Sequence, residues 1–299
     1  MNLPQHLVYP LAEFGDSFQE KVLAGSRLLS LSRIAVVGLA RNCAGPLHEN
    51  LRRLRNLVEN AAGWQLHIET NDNTDETVQV LTDFCGDHRQ ATFTSQTLDR
   101  QQFSAEFAGP RTIALAEYRS ACQRWVRECA ADADFTLVID WDQWGGWSSA
   151  GVLNGLGWLA NTPDAYGMAS VSLLQSPVMA TDKDGKTTKQ FAWLQYDAWA
   201  LRLNSHWDDY TAGHGGWKHH WLPPVGSPPV PVCSAFGGLA IYRTAAYLKG
   251  TYNGERDCEH VSFHESVATA TGQALFLCPS MRCVMHWMEP DGTRQHGDD

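Results

Sequence analysis

The sequence predicts an α/β fold with a central, mainly parallel β-sheet flanked by helices. Continuous apolar runs such as "RIAVVGLAR" (33–41) and "FTLVID" (135–140) have the length of strands buried on both faces. Segments with a helical apolar period alternate with these runs, as parallel crossover connections require. Hydrophobic residues make up 43% of the 299 positions and charged residues 19%, enough apolar material for a sizeable core.

Residues 1–32 read as a helical or irregular lead-in, and 33–299 as one continuous domain. After the strand at 33–41, the segment 46–62 carries Leu47, Leu51, Leu54 and Val58 on one helical face. "WQLHIET" (64–70) is a second strand and "NDNTDET" (71–77) a turn. Thr74 or Asp75 is a natural N-cap for a helix running to about Phe84. "ATFTS" (91–95) is a third strand. The segment 110–133 opens on proline, keeps a helical period and leads into the strand at 135–140. In the second half, 167–175 and 190–202 read as strands around the "DKDG" turn, and 206–232 as a long irregular loop rich in His, Trp, Gly and Pro. A strand at 234–243, a helix at 258–272 ending on Gly272 and the apolar run 275–287 close the domain.

A net charge of −10 and the lack of a Lys/Arg-rich run argue against a nucleic-acid face. No segment reaches the 18 or so continuous apolar residues of a membrane span. No secretory signal is apparent, and the eight Cys lack a CxxC pair, so they read as reduced thiols of a cytoplasmic protein. Peripheral contact with the inner face of a membrane remains open. Twelve Trp fit either core packing or the flat rings of a sugar-binding cleft.

The chemistry concentrates at "FTLVIDWDQWGG" (135–146), where a core strand ends in Asp140 and Asp142. Residues i and i+2 of a strand point to one side, and α/β sheets bind ligands at the carboxyl ends of their strands. Two carboxylates about 6 Å apart repel by roughly 3 kcal/mol at an effective dielectric near 20. Either one is protonated, a basic side chain comes between them, or a divalent cation binds. A compact Asp-x-Asp suits a hard ion that keeps waters and accepts phosphate oxygens; helix capping by one of the aspartates is the plainer alternative. His286, in an apolar run near the end of the chain, stands where an aliphatic residue is expected.

In this order the features resemble a GT-A-type glycosyltransferase, the nucleotide-sugar-dependent class with an Asp-x-Asp signature. "VVGLARNCAGPLHENLRRL" is similar to its first strand and helix, "IETNDNTDET" to the turn after its second strand, "LAEYRSACQRWV" to the helix ahead of the metal motif, and "VIDWDQW" to that motif. "SAFGGLAIYR", "CEHVSFHESVATATG" and "CVMHW" are similar to its acceptor-side strand, acidic-headed helix and terminal His. The similarity spans most of 33–287 and looks closer to microbial polysaccharide- and capsule-type transferases, including the fungal capsule mannosyltransferase group, than to animal ones.

The resemblance implies a Rossmann-like GT-A fold with a small second sheet on the acceptor side, a nucleotide-binding half (33–150) and an acceptor-binding half (151–299). It implies transfer of a hexose from a nucleotide diphosphate sugar, UDP- or GDP-linked, to a glycan or other hydroxyl acceptor in polysaccharide biosynthesis. Mn²⁺ or Mg²⁺ is the implied cofactor, with Asp142 in direct contact, Asp140 binding through water or touching the ribose and sugar, and His286 as third ligand. Arg41, Glu69, Asn71, Asp72 and Arg119 are the implied nucleotide-sugar contacts, with Arg119 preferred over Arg111 on the same helix. Glu259 is the implied base, with Asp257 and His260 beside it. Trp144, Trp147, Tyr196, Asp197, Trp199, Gly237 and Gly238 line the implied acceptor and sugar pocket. A second metal site through His214, His219 and His220 is a weaker reading, since no acidic or Cys partner accompanies them. The competing classes are a sugar nucleotidyltransferase, which needs a Gly-rich basic loop after its first strand, and a non-catalytic nucleotide- or glycan-binding protein of the same fold.

Overall fold

The computed structural model describes residues 3–101, 103, 109–203 and 216–286. Helices α1 (Gln5–Val8) and α2 (Gly15–Leu31) precede strand β1 (Arg33–Ala40). Then follow α3 (Ala44–Val58), β2 (Gly63–Asn71), α4 (Thr77–Asp87), β3 (Ala91–Gln96) and α5 (Pro110–Cys129). β4 (Phe135–Asp140), the short β5 (Gly146–Trp147) and α6 (Ser149–Asn161) complete the first half. The second half supplies β6 (Ala165–Thr181), β7 (Thr187–Gln195), β8 (Val230–Val232), β9 (Leu239–Arg243), α7 (Thr244–Tyr247), α8 (Glu259–Thr271) and β10 (Ala274–His286).

The strands join in one ten-stranded sheet of order β3-β2-β1-β4-β9-β6-β10-β5, with β7 on β6 and β8 on β10. β3, β2, β1 and β4 are parallel, as are β6 and β10, while β9 runs antiparallel between β4 and β6. Burial on both faces explains the continuous apolar run of β1. Ala35 and Val37 pack with Ala116, Cys122 and Val126 of α5 and Phe263 and Val267 of α8. Ile34 and Val36 point the other way, onto Leu47, Leu51, Leu54 and Val58 of α3 and Leu156 and Leu159 of α6. The expected α/β class is thus the observed one. The small second sheet is not separate: β6 carries past the bulged part of its pairing with β10, and its far end pairs with β7.

Two expected strands are shorter than read, for local reasons. The strand read at 190–202 stops at Gln195, and 196–202 turns, with Asp197 accepting the Gly237 N–H across the loop. The strand read at 234–243 begins only at Leu239 because Gly237 and Gly238 adopt φ of 67° and 83°. A Cβ on Gly237 would stand 2.3 Å from the Ser170 carbonyl oxygen, so glycine is required there.

The segment read as a lead-in packs into the body of the fold. α2 lies against α6 with backbones in close approach, since a Cβ on Gly25 would meet the Leu153 carbonyl oxygen at 1.8 Å and one on Gly157 the Lys21 carbonyl oxygen at 2.0 Å. Helix propensity favours Ala over Gly by about 1 kcal/mol, but neither carbonyl oxygen can yield without separating the helices. Gly157→Ala is therefore expected to destabilise the protein by about 1–3 kcal/mol, read as a lower denaturation midpoint. An unchanged or higher midpoint would show that the helices separate at no cost.

Candidate functional site

β4 delivers Asp140 to the carboxyl edge of the sheet, where its N–H donates to the Gly238 carbonyl at 2.9 Å. Fully buried Gln143 pins the turn, its Nε2 donating to the carbonyls of Asp140 at 2.9 Å and Gly238 at 2.6 Å. Trp141 points into the core, edge-on to Trp147, while Asp140 and Asp142 both face a cleft of about 650 Å³. The capping alternative fails here, because the next helix, α6, takes its cap from Ser148, whose Oγ accepts the Gly151 N–H.

Arg119 of α5 is the basic side chain beside the pair. It is buried, and its Nη2 donates to Asp140 Oδ1 at 3.0 Å and Oδ2 at 3.3 Å, while its Nε donates to Glu259 Oε1 at 2.9 Å. The guanidinium also lies 4.8 Å from the Phe236 ring centre. Its Nη1 has no hydrogen-bond partner among the described residues. Burial pushes the Asp140 carboxyl up to about 7; Arg119 opposes this and the charges of Asp142 and Glu259 add to it. Asp142 is raised as well, mainly by the surrounding protein, against the pull of its own backbone N–H, Arg119 and Arg111. Its side chain is nonetheless exposed, so water in the cleft screens that effect.

The rest of the cleft comes from other strand ends and loops. Arg41 follows β1; its Nη2 donates to the Arg100 carbonyl at 2.9 Å and so holds the chain after β3. Glu69 and Asn71 end β2, Glu69 lying 3.1 Å from His67 Nε2. Tyr196, Asp197, Trp199, Gly238, Glu259 and His260 form the opposite side. Burial lifts Asp197 to about 6 and Tyr196 to about 12. His260 is buried between Phe236, at 3.9 Å between ring centres, and His264, at 5.8 Å. Burial, then Arg119 and His264, hold it well below the usual imidazole range, so it is a neutral packing ring.

Several expected site residues lie elsewhere. Asp72, at φ 48°, accepts the N–H groups of Leu98, Asp99 and Arg100 and organises that loop rather than facing the cleft. Burial raises its carboxyl, but these bonds and one from Asn71 bring it down to about 2. Asp257 is turned to Arg202, with contacts of 3.0 and 3.1 Å, and caps the Cys258 N–H. Trp147 is a core residue, and Trp144 covers Gly45, where a Cβ would meet its ring at 2.5 Å. Gly237 supports Asp197 rather than lining the cleft. Met285 lines the cleft and His286 does not, and among the described residues no three His, Cys, Asp or Glu side chains gather as a metal-binding group. The expected set of Asp140, Asp142 and His286 is therefore not assembled. His214 and much of the loop 206–232 lie outside the described residues; His219 lines the cleft, its Nδ1 3.1 Å from the Gln195 carbonyl.

Arg111, weighed in the sequence against Arg119, lines the cleft as well, and so do Ala114, Leu115 and Tyr118, which the sequence reading passed over. With Arg119 they follow a 3–4 residue spacing along α5, so tracing the face of Arg119 back along the helix would have found them. Arg111 lies 5.9 Å from the Trp199 ring centre, joining the two walls.

The structure thus combines a mixed α/β sheet with an acidic, arginine-braced cleft at its strand ends. No protein-family model matches the chain, and no curated protein matches it significantly. Among solved structures it is similar to the mannosyltransferase PcManGT from Pyrobaculum calidifontis in complex with GDP-Man and Mn²⁺, at 13% identity and a TM-score of 0.47, covering 91% of this chain and 65% of that one. It is also similar to GalNAc-T7 with UDP, GalNAc and Mn²⁺, at 11% identity and 0.47, covering 94% and 54%. S. aureus TarS 1–349 in complex with UDP-GlcNAc aligns at 12% and 0.43, covering 88% and 60%. The chain thus spans less than two thirds of the length of each of these three. Among the described residues no helix is long and apolar enough to cross a membrane.

Two outcomes follow from the charges. Arg119→Ala leaves buried Glu259 and half-buried Asp140 without their cation and is expected to cost about 3 kcal/mol, the low end for a buried pair because water reaches Asp140; Arg119→Lys recovers only part of this, since one ammonium lacks the planar fork. Chemical denaturation measures both, and a wild-type midpoint in Arg119→Ala would contradict the arrangement. Asp142→Asn is expected to raise the melting temperature at pH 8 by about 2 °C, the size of roughly 1 kcal/mol in a chain this long. A carboxyl raised in the folded state costs stability when ionised, so the gain should shrink as pH falls towards the ordinary value of 3.8. A gain that grows on acidification would reverse the assignment.

Proposed function

We propose that this protein is a GT-A-type glycosyltransferase that moves a hexose from a nucleotide diphosphate sugar to a glycan or other hydroxyl acceptor. The observation that carries this reading is the division of labour at the end of β4: Arg119 neutralises Asp140, while Asp142 opens onto the cleft with no basic side chain in contact among the described residues. An open carboxylate in an acidic cleft fits a hard divalent ion that completes its shell with water and phosphate oxygens. Asp142 would hold that ion directly and Asp140 would face it through water, with Mn²⁺ or Mg²⁺ equally suited to oxygen donors. When bound, the ion supplies neutralisation of the departing diphosphate.

The chain's own residues carry the rest. Arg41, Glu69 and Asn71, at the ends of the first two strands, line the part of the cleft where a nucleoside would sit. The unused Nη1 donor of Arg119 and the guanidinium of Arg111 supply positive charge for phosphate or sugar oxygens. Tyr196 and Trp199 offer rings for a sugar on the opposite wall. The nucleotidyltransferase alternative is disfavoured because the loop after β1 has spent its amides. The N–H groups of Asn42, Cys43 and Ala44 donate to Asn73, Thr77 and Asp75, leaving no backbone cradle for a triphosphate.

Thermal shift with UDP-, GDP- and dTDP-sugars, each with and without Mn²⁺, tests the reading. One nucleotide is expected to raise the melting temperature only with the metal, and Asp142→Ala to abolish that shift. No response to any donor would refute the proposal, and binding without turnover would favour a non-catalytic binding protein.

A further inference from the structure

We propose that Asp197, rather than Glu259, is the general base that takes the proton from the acceptor hydroxyl. This inference rests on the glycosyltransferase reading and names the group that activates its acceptor. The starting point is the state of each carboxylate that lines the cleft. Asp140 and Glu259 are both bonded to Arg119, and Glu69 is paired with His67. Glu259 is held away from an acceptor: Oε1 accepts from Arg119 Nε, Oε2 faces Cys258 Sγ at 3.6 Å, and the residue is only 2% exposed. Asp142 and Asp197 alone among the described cleft carboxylates touch no basic side chain, and Asp142 belongs to the donor side.

Asp197 is placed and held for the task. Its N–H donates to Ser172 Oγ at 2.9 Å, and its Oδ2 accepts the Gly237 N–H at 3.0 Å. Oδ1 receives only a long 3.4 Å contact from the Ala200 N–H, so lone-pair capacity remains there. The next residue of the same loop, Gly238, accepts the Asp140 N–H at 2.9 Å. Two consecutive glycines thus tie Asp197 to the donor-side aspartate across the sheet edge. Burial raises the Asp197 carboxyl to about 6; the Gly237 and Ala200 N–H groups and Arg119 oppose this, and the Glu259 charge adds to it. Tyr196 and Cys258, the other titratable neighbours, are raised and neutral at pH 7. An ionised carboxylate of this strength suits base catalysis near neutrality.

The step balances without a further reactant. As the acceptor O–H bond breaks, its proton passes to Asp197, and the acceptor oxygen bonds to the anomeric carbon. The bond from that carbon to the diphosphate oxygen breaks, and its electron pair leaves with the nucleoside diphosphate. Asp197 then releases the proton to water. One displacement inverts the anomeric configuration.

The test uses the full chain with UDP- and GDP-hexoses and Mn²⁺, reading donor binding by thermal shift and release of UDP or GDP with water as acceptor. Asp197→Asn keeps an oxygen for the Gly237 N–H and is expected to retain the wild-type donor shift while releasing nucleotide at least about 100-fold more slowly. Wild-type release should fall as pH drops through about 6, because the protonated carboxyl accepts nothing, and this component of the acidic limb, below the one Asp140 contributes near 7, should vanish in Asp197→Asn. A donor shift in both proteins with a smaller loss of release, or with that component retained, overturns this inference and leaves the proposed function standing. A donor shift without any wild-type release also overturns it. The absence of any donor shift in the wild type removes the proposed function and this inference together.

Discussion

The Arg119 guanidinium joins three parts of the chain at the sheet edge. From α5 it reaches Asp140 at the end of β4 and Glu259 at the start of α8, with Phe236 beneath it. A planar fork with several donors can serve two carboxylates at once, which is why a single buried cation organises the floor of the cleft. Its charge does not cover all the acid around it. Asp140, Asp142, Asp197 and Glu259 face the same space; burial raises the Asp140 and Asp197 carboxyls, and the neighbouring negative charges add to it.

The two halves of the fold contribute unequally to this arrangement. The first half offers strand ends, where parallel connections leave backbone groups and side chains turned outward. The second half offers the Gly237–Gly238 loop, which approaches too closely for any Cβ; its Gly237 N–H donates to the Asp197 carboxylate and its Gly238 carbonyl accepts the Asp140 backbone N–H. Glycine at these positions serves the approach of backbones, as it does at Gly25 and Gly157 between α2 and α6.

Much of the frame was legible in local pattern. The apolar run of β1 and the leucine stripe of α3 were read with nearly the observed bounds, and the carboxyl-edge position of Asp140 and Asp142 followed from where the apolar strand run ends in an α/β sheet. The failures have a common form. Asp72, Asp257, Trp144 and Trp147 have the residue types of a site and stand beside its motifs, yet each finds a structural partner: loop amides, Arg202, Gly45 and Trp141. The α5 face beyond Arg119 was legible in principle, because helical spacing alone groups Arg111, Ala114, Leu115 and Tyr118 with it.

The sequence by itself determined the sheet class, the order of its main elements and the delivery of two aspartates to one edge, because apolar period and strand alternation act over a few residues. Tertiary structure alone decided which carboxylates are neutralised and which stay open. Arg119 meets Glu259 across 140 residues, Asp257 meets Arg202 across 55, and Gly237 meets Asp197 across 40. Charge pairing of that kind depends on where the folded chain brings its side chains together, and no local pattern encodes it.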